Sequence, residues 1–316
     1  MSGFGWSSTT DEVLEGKDLS GTSVFITGAN SGLGQETARA MAARGAEVIM
    51  AGRDQAKLDE AVAAIKADHP EAQLETLTVD LTSLENIRAA TSRARQRFQK
   101  IDILINNAGV MATPFQHTHD GFEMQIGTNH FGHFALTGEL FPLIEKGHLK
   151  RIVNLSSRGH HFAPVDFDDP HFERRAYDPW ISYGHSKTAN VLFSVGLDAR
   201  YSVLGIHAYA VHPGGIQTNL GRHMTPEMIE ALMARVTSKD TGFQWKTIPQ
   251  GAATSCWAAT APELEGKGGV YCEDCHVAEV DDESATGGVR SYAVNSSYAD
   301  RLWAMSEEAT GVRYPS

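Results

Sequence analysis

Apolar residues fall along this chain in two alternating patterns. Short, β-branched runs of three to six residues read as buried strands: Ser23–Thr27, Glu47–Ala51, Leu74–Val79, Ile101–Ile105, Arg151–Leu155, Ile206–Val211 and, shortest, Gly269–Tyr271. Between them stand stretches with apolar positions at helical spacing: Gln35–Arg44, Asp54–Ala67, Ser83–Phe98 (capped by Thr82 or Ser83), the long Gly121–Ile144, Ser182–Tyr201, one or two helices over 222–237, and Pro249–Thr260. Strand–helix alternation of this kind implies βαβ units. The expected fold class is α/β, a Rossmann-type doubly wound parallel sheet of about seven strands with helices on both faces.

Residues 1–20 are expected to form an N-terminal arm and 21–275 a single domain. Within that domain a lid is expected at about 219–245, and 276–316 should form a C-terminal extension packing on it. Polar, irregular sequence from Arg158 to about Trp180 interrupts the alternation.

Composition narrows the field. A net charge of −12 argues against a nucleic-acid surface, which would need a basic patch. Three cysteines, Cys256, Cys272 and Cys275, give no disulfide framework and fit a reducing, cytoplasmic setting. The N-terminus lacks the pattern of a signal peptide, and no apolar run approaches a membrane span.

Two stretches carry chemistry. Thr27-Gly28-Ala-Asn30-Ser31-Gly32-Leu33-Gly34 follows the first strand and opens the first helix. Glycines there permit a tight turn and close backbone approach to a pyrophosphate at the helix N-terminus. The spacing is G-x-x-x-G-x-G, unlike the commoner G-x-G-x-x-G. Past the second strand, Arg53 can take a ribose 2′-phosphate, which favours NADP over NAD. Asp54 could instead cap the next helix. Farther on, Tyr183 and Lys187 stand four apart in a helix, on one face. A neighbouring ammonium favours the phenolate, so the Tyr183 pKa is expected to fall, giving a general acid/base.

With TGANSGLG, Asn106-Asn107-Ala108-Gly109 and Tyr183-Gly-His-Ser-Lys187 in this order, the chain resembles the classical short-chain dehydrogenase/reductases over about residues 20–275. The resemblance implies a catalytic set of Asn129, Ser157 (with Ser156 the alternative), Tyr183 and Lys187. Tyr183 would exchange a proton with the substrate oxygen. Lys187 would lower the Tyr183 pKa and bind the nicotinamide ribose. Ser157 would hold the substrate oxygen, and Asn129 would order a water leading to Lys187. It further implies that Asp80 and Leu81 contact the adenine, that Asn107, Ala108 and Gly109 pass the adenosine ribose, and that Pro213, Gly214, Ile216 and Thr218 close on the nicotinamide. Pairing of subunits into a homodimer or homotetramer is implied through the helices near 121–144 and 182–201.

The gap from Ser157 to Tyr183, 26 positions, is long for the family. With Ser156-Ser157-Arg-Gly-His-His-Phe162 before it, that gap resembles the retinol-dehydrogenase-like branch. The branch implies a bulky apolar alcohol or carbonyl: steroid, retinoid, aromatic or terpenoid. Other chemistry on the scaffold, such as enone reduction or epimerisation, stays open, as does a non-catalytic cofactor-binding sensor.

No metal site is expected. Cys272-Glu-Asp-Cys275-His276 has the form of a haem-attachment motif but reads as a turn after the last strand. The histidines, among them His117, His119, His130, His133, His160, His161, His171, His185 and His212, read as polar lining or surface, with His160 or His161 candidates for touching substrate. Met224, Met228 and Met233 read as a flexible apolar lid.

Overall fold

The computed structural model describes residues 3–236 and 244–315. Its strands are β1 (Ser23–Thr27), β2 (Glu47–Gly52), β3 (Gln73–Thr78), β4 (Ile103–Asn106), β5 (Arg151–Leu155), β6 (His207–His212), β7 (Val270–Glu273) and β8 (His276–Val277). Its α-helices are α1 (Thr10–Val13), α2 (Gly32–Ala42), α3 (Gln55–Asp68), α4 (Leu84–Arg97), α5 (Met124–Ile126), α6 (Gly132–Ile144), α7 (Pro179–Tyr201), α8 (Pro226–Val236), α9 (Ile248–Thr260) and α10 (Ser296–Thr310).

The strands make one sheet of order β3-β2-β1-β4-β5-β6-β7-β8, parallel except for β8. That is one strand more than the sequence suggests, because the two-residue β8 is too short to read. All five residues of β1 are buried, as expected of a parallel strand covered on both faces. Val24 and Ile26 point into the layer of α2 and α9, with Met41 and Trp257. Phe25 points the other way, among Ile87, Phe134 and Phe193 of α4, α6 and α7. The chain runs outward from β1 to β3 and returns to β4 on the opposite side of β1. Side chains at the C-terminal ends of β1 and β4 therefore flank the crevice where the order reverses.

Local signals explain the element starts. Asp54 caps α3 by accepting from Lys57 N (3.3 Å), and Ser83 caps α4. The helix expected from Ser182 begins at Pro179, because Asp178 accepts from Trp180 N and Ile181 N and proline suits the first turn.

The single helix expected over Gly121–Ile144 is broken. Glu123 caps α5, and a π-helical turn, Gly127–Phe131, separates α5 from α6. Glycines flank that turn where the chain is crowded. A Cβ on Gly127 would stand 2.5 Å from Thr118 Cγ2, and one on Gly132 2.5 Å from Leu81 O.

The C-terminal residues lie on the helices that the resemblance assigns to subunit pairing. Trp303 of α10 packs on Gly196, and Val312 and Tyr314 pack on Gly138. Across 182–197 of α7, every residue but Val195 is buried within the chain.

Candidate active site

A cleft of about 1110 Å³ runs over the C-terminal edge of the sheet. The glycine turn forms one end. Gly28 has φ +65° and Gly32 +55°. A Cβ on Gly28 would lie 3.0 Å from Ala108 Cα, and one on Gly34 would strike Gly28 O. The turn is thus folded against Asn107-Ala108-Gly109. Thr27 Oγ1 accepts from Asn107 N and Ala108 N (both 2.9 Å), while Asn107 Nδ2 donates to Thr27 O (2.8 Å). Ser31 caps α2 without a side-chain hydrogen bond, so the first N–H groups of α2 are left to face the cleft. A cradle of glycine backbone at an uncapped helix start fits a pyrophosphate.

Every cofactor residue expected from the sequence lines this cleft except Gly34, which lies behind it: Gly28, Asn30, Ser31, Gly32, Leu33, Arg53, Asp80, Leu81, Asn107, Ala108, Gly109, Tyr183, Lys187, Pro213, Gly214, Ile216 and Thr218. Asp80 is pinned by Thr82, accepting from its N (2.9 Å) and Oγ1 (2.8 Å). Arg53 has no acidic partner among the described residues, since Asp54 faces Lys57. No motif marks Arg222, which lines the cleft along with Arg53 and Arg158. Burial and the charge of Arg53 both lower the Arg222 pKa.

At the other end Ser157, Tyr183 and Lys187 come together. Ser157 and Tyr183 both line the cleft, with the serine hydroxyl near enough to the phenol to favour its ionised form. Ser156 is turned away; it is buried, and its Oγ donates to Lys187 O (2.9 Å). Lys187 Nζ donates to Leu155 O (2.9 Å) and lies 5.7 Å from the Tyr183 ring centroid.

One expectation is corrected here. Tyr183 is not lowered: burial pushes it up to about 12, against a smaller lowering from the nearby Ser157 hydroxyl. Lys187 in turn is brought down to about 7 by burial. The ammonium stands over the ring and is engaged by a carbonyl, and desolvation of both groups outweighs their attraction.

Asn129, in the π-helical turn, is fully buried and does not line the cleft. Its Oδ1 accepts from Val110 N (2.8 Å), and its Nδ2 donates to Val110 O and Ser186 Oγ (both 2.9 Å). The amide is thus occupied in holding the backbone after Gly109. A Cβ on Gly109 would lie 3.2 Å from Asn129 Oδ1 and 3.7 Å from Lys187 Nζ, so only bare backbone separates the two.

The histidines divide. His161 and His212 line the cleft, as read, but His130, His133, His160 and His185 are buried, not surface. His133 joins the motifs: Nε2 bonds Thr27 Oγ1 (2.9 Å) and Nδ1 bonds Asn129 O (3.0 Å). Burial lowers its pKa to about 4. Because Asn129 O can only accept, Nδ1 carries the proton and Thr27 donates to Nε2.

In the segment expected to form a lid, Met224, Ile229 and Leu232 line the cleft and Met228 does not. The side chain of Met233, and the lid residues 237–243, lie outside the described residues. Phe162, Trp180 and Trp245 add apolar wall. Cys272 and Cys275 are buried cysteines outside any disulfide in the β7–β8 hairpin, whose turn has Asp274 and Cys275 at positive φ. No cluster able to hold a metal occurs among the described residues.

The family profile described as short chain dehydrogenase matches residues 22–228. A protein of Streptomyces lividans described as a probable oxidoreductase is 42% identical over 291 residues, covering 90% of this chain and 96% of its own. Human retinol dehydrogenase 12 is 40% identical over 296 residues, covering 94% and 88%. The crystal structure of an uncharacterised protein from Mycobacterium paratuberculosis superposes with a TM-score of 0.75 at 33% identity, covering 99% of this chain and all of that one. The chain belongs to the short-chain dehydrogenase/reductases, in their retinol-dehydrogenase-like branch. It is an NAD(P)-dependent oxidoreductase.

Proposed function

We propose that this enzyme interconverts an alcohol and its carbonyl on a bulky apolar substrate, using NADP and Tyr183 as acid/base. The observation that carries the reading is that Ser157, Tyr183 and Lys187 line one cleft together with the apolar side chains Phe162, Trp180 and Met224. When bound, the nicotinamide gives or takes the hydride.

The chain's own residues do the rest. Tyr183, held protonated by burial, donates its proton to the oxygen during reduction. Ser157 Oγ steadies the charge growing there. Lys187, titrating near 7, is placed to resupply the proton and hold the ribose. Asn129 positions the strip of backbone alongside Lys187.

NADP is favoured over NAD because Arg53 and Arg222 both line the adenosine end of the cleft, and a 2′-phosphate relieves their repulsion. The glycine turn, Asp80, Leu81, the Asn107–Gly109 stretch and Pro213–Thr218 are the proposed contacts for the remainder. A homodimer or homotetramer would have to use a surface other than α7, which is wrapped by its own chain. A cytoplasmic setting accords with three buried cysteines outside any disulfide; no helix among the described residues is long and apolar enough to cross a membrane.

A panel of steroid, retinoid, terpenoid and aromatic alcohols and carbonyls, followed by the absorbance of the reduced coenzyme, tests this. Turnover on one of these classes supports the reading. Coenzyme binding with no turnover on any of them favours the sensor.

A further inference from the structure

Ser157 is set in place by more than its own strand. It caps the 3-10 turn Arg158–Phe162, its Oγ accepting from Gly159 N (2.9 Å). Its carbonyl accepts twice from one residue, His160: from N (3.0 Å) and from Nδ1 (2.7 Å). Two donors converging on that oxygen fix the peptide plane that follows Ser157, and with it the direction in which Oγ projects.

The His160 ring is wholly buried, edge-on to His161 and tilted against Tyr271. Its remaining nitrogen, Nε2, accepts from Arg290 N (3.2 Å). A backbone N–H can only donate, so Nε2 is bare and Nδ1 bears the proton. Arg290 is itself clamped: Nη1 donates to Asp281 O (2.6 Å) and Nη2 to Ser284 O (2.8 Å). Two residues on, Tyr292 Oη donates to His160 O (2.6 Å). His161 Nε2 meets Gly288 O (3.0 Å) in the same way.

We propose that His160 is a positioning residue for Ser157, and that the C-terminal segment around Arg290 holds it in the one tautomer that can do so. The proposal rests on reading Ser157 as the ligand of the substrate oxygen. It gives the C-terminal extension a part in turnover: the extension supplies the donor that keeps the His160 proton on Nδ1. Protonation of Nε2 would set two N–H groups against each other, so the ring serves as a fixed neutral connector. Burial keeps its pKa near 3, in agreement.

The test compares kcat, KM and coenzyme affinity (by titration of protein fluorescence with NADPH) in Ser157→Ala, His160→Phe, His160→Asn and the double variant S157A/H160F. Phe keeps the ring volume and removes the donor; Asn restores a donor near the Nδ1 position. A small displacement of a reacting group costs on the order of 100-fold, so His160→Phe should lower kcat by about 10- to 100-fold with coenzyme affinity unchanged, and His160→Asn should recover part of the loss. In the S157A background, His160→Phe should cost less than about twofold, because the group it positions is gone.

If His160→Phe does not fold, Arg290→Pro is compared with Arg290→Ala. Arg290 already has φ −69°, which proline adopts, so the pair isolates the N–H. Arg290→Pro should then have the lower kcat by about fivefold or more. Equal kcat in those two variants, a wild-type kcat in His160→Phe alongside an inactive S157A, or an undiminished His160→Phe effect in the S157A background each overturns the proposal. Wild-type turnover by S157A overturns the reading of Ser157 itself.

Discussion

Gly159 lies against the ring of Tyr183 so closely that a Cβ on it would stand 2.5 Å from Cε1 and 2.8 Å from Cδ1. No backbone conformation forces glycine at this position; the phenol does. Gly159→Ala should displace the ring and reduce kcat by about 10- to 100-fold, with NADPH affinity within about twofold of wild type. Steady-state kinetics with a fluorescence titration check it. Unchanged kcat would mean that the ring can shift without cost.

Coenzyme choice should follow charge at the adenosine end. Arg53→Asp should move the NADP/NAD ratio of kcat/KM towards NAD by at least about tenfold, worth about 1.4 kcal/mol. Arg222→Ala should move it the same way by less, since its side chain is reached from the lid. A ratio unaffected by Arg53→Asp would take the 2′-phosphate away from this residue.

Lys187 links activity to stability. In the unfolded chain it titrates near 10.5, and in the fold near 7. Between those values the unfolded chain binds more protons, so the residue's contribution to stability rises as pH goes from about 7 to 10.5 and is most unfavourable below 7. Lys187→Met should therefore raise Tm at pH 6 to 7, with a gain that fades towards pH 10, while turnover collapses. Leu155 O, which Nζ bonds, keeps the amide of Asn190. Thermal scans across pH decide; a Tm lowered at pH 6 contradicts the assignment.

Trp303 fastens α10 to the core between Phe134 and Tyr314, under the guanidinium of Arg200, whose Cζ lies 4.4 Å from the ring centroid. Trp303→Ala should cost about 3–5 kcal/mol by denaturant unfolding. A cost below about 1 kcal/mol would show that α10 is only loosely attached.

Much of this arrangement can be read from the sequence, and what cannot has physical reasons. β1, β5 and the start of α3 follow from short apolar runs and from Asp54, which are local signals. The glycine turn and Asn107–Gly109 were found as separate motifs; their mutual locking through Thr27 and His133 depends on residues 106 positions apart. The π-helical turn at Asn129 keeps helical composition and differs only in its contacts with Thr118 and Leu81, so periodicity over 121–144 misses it. Spacing reveals the charge of Lys187 beside Tyr183 but not the burial, which sets the direction of the Tyr183 shift. Reading 276–316 as one extension leaves out α10, whose ends Asn295 and Gly311 mark. Arg222 had no motif to announce it.

The central claim is that Tyr183 transfers the proton in a coenzyme-bound oxidoreductase site. Tyr183→Phe, assayed for kcat/KM with the best substrate of the panel and for NADPH affinity by fluorescence titration, tests it most directly. Loss of about 100-fold or more in kcat/KM with coenzyme affinity within about threefold of wild type is the predicted result. Turnover by the variant within about threefold of wild type would contradict it.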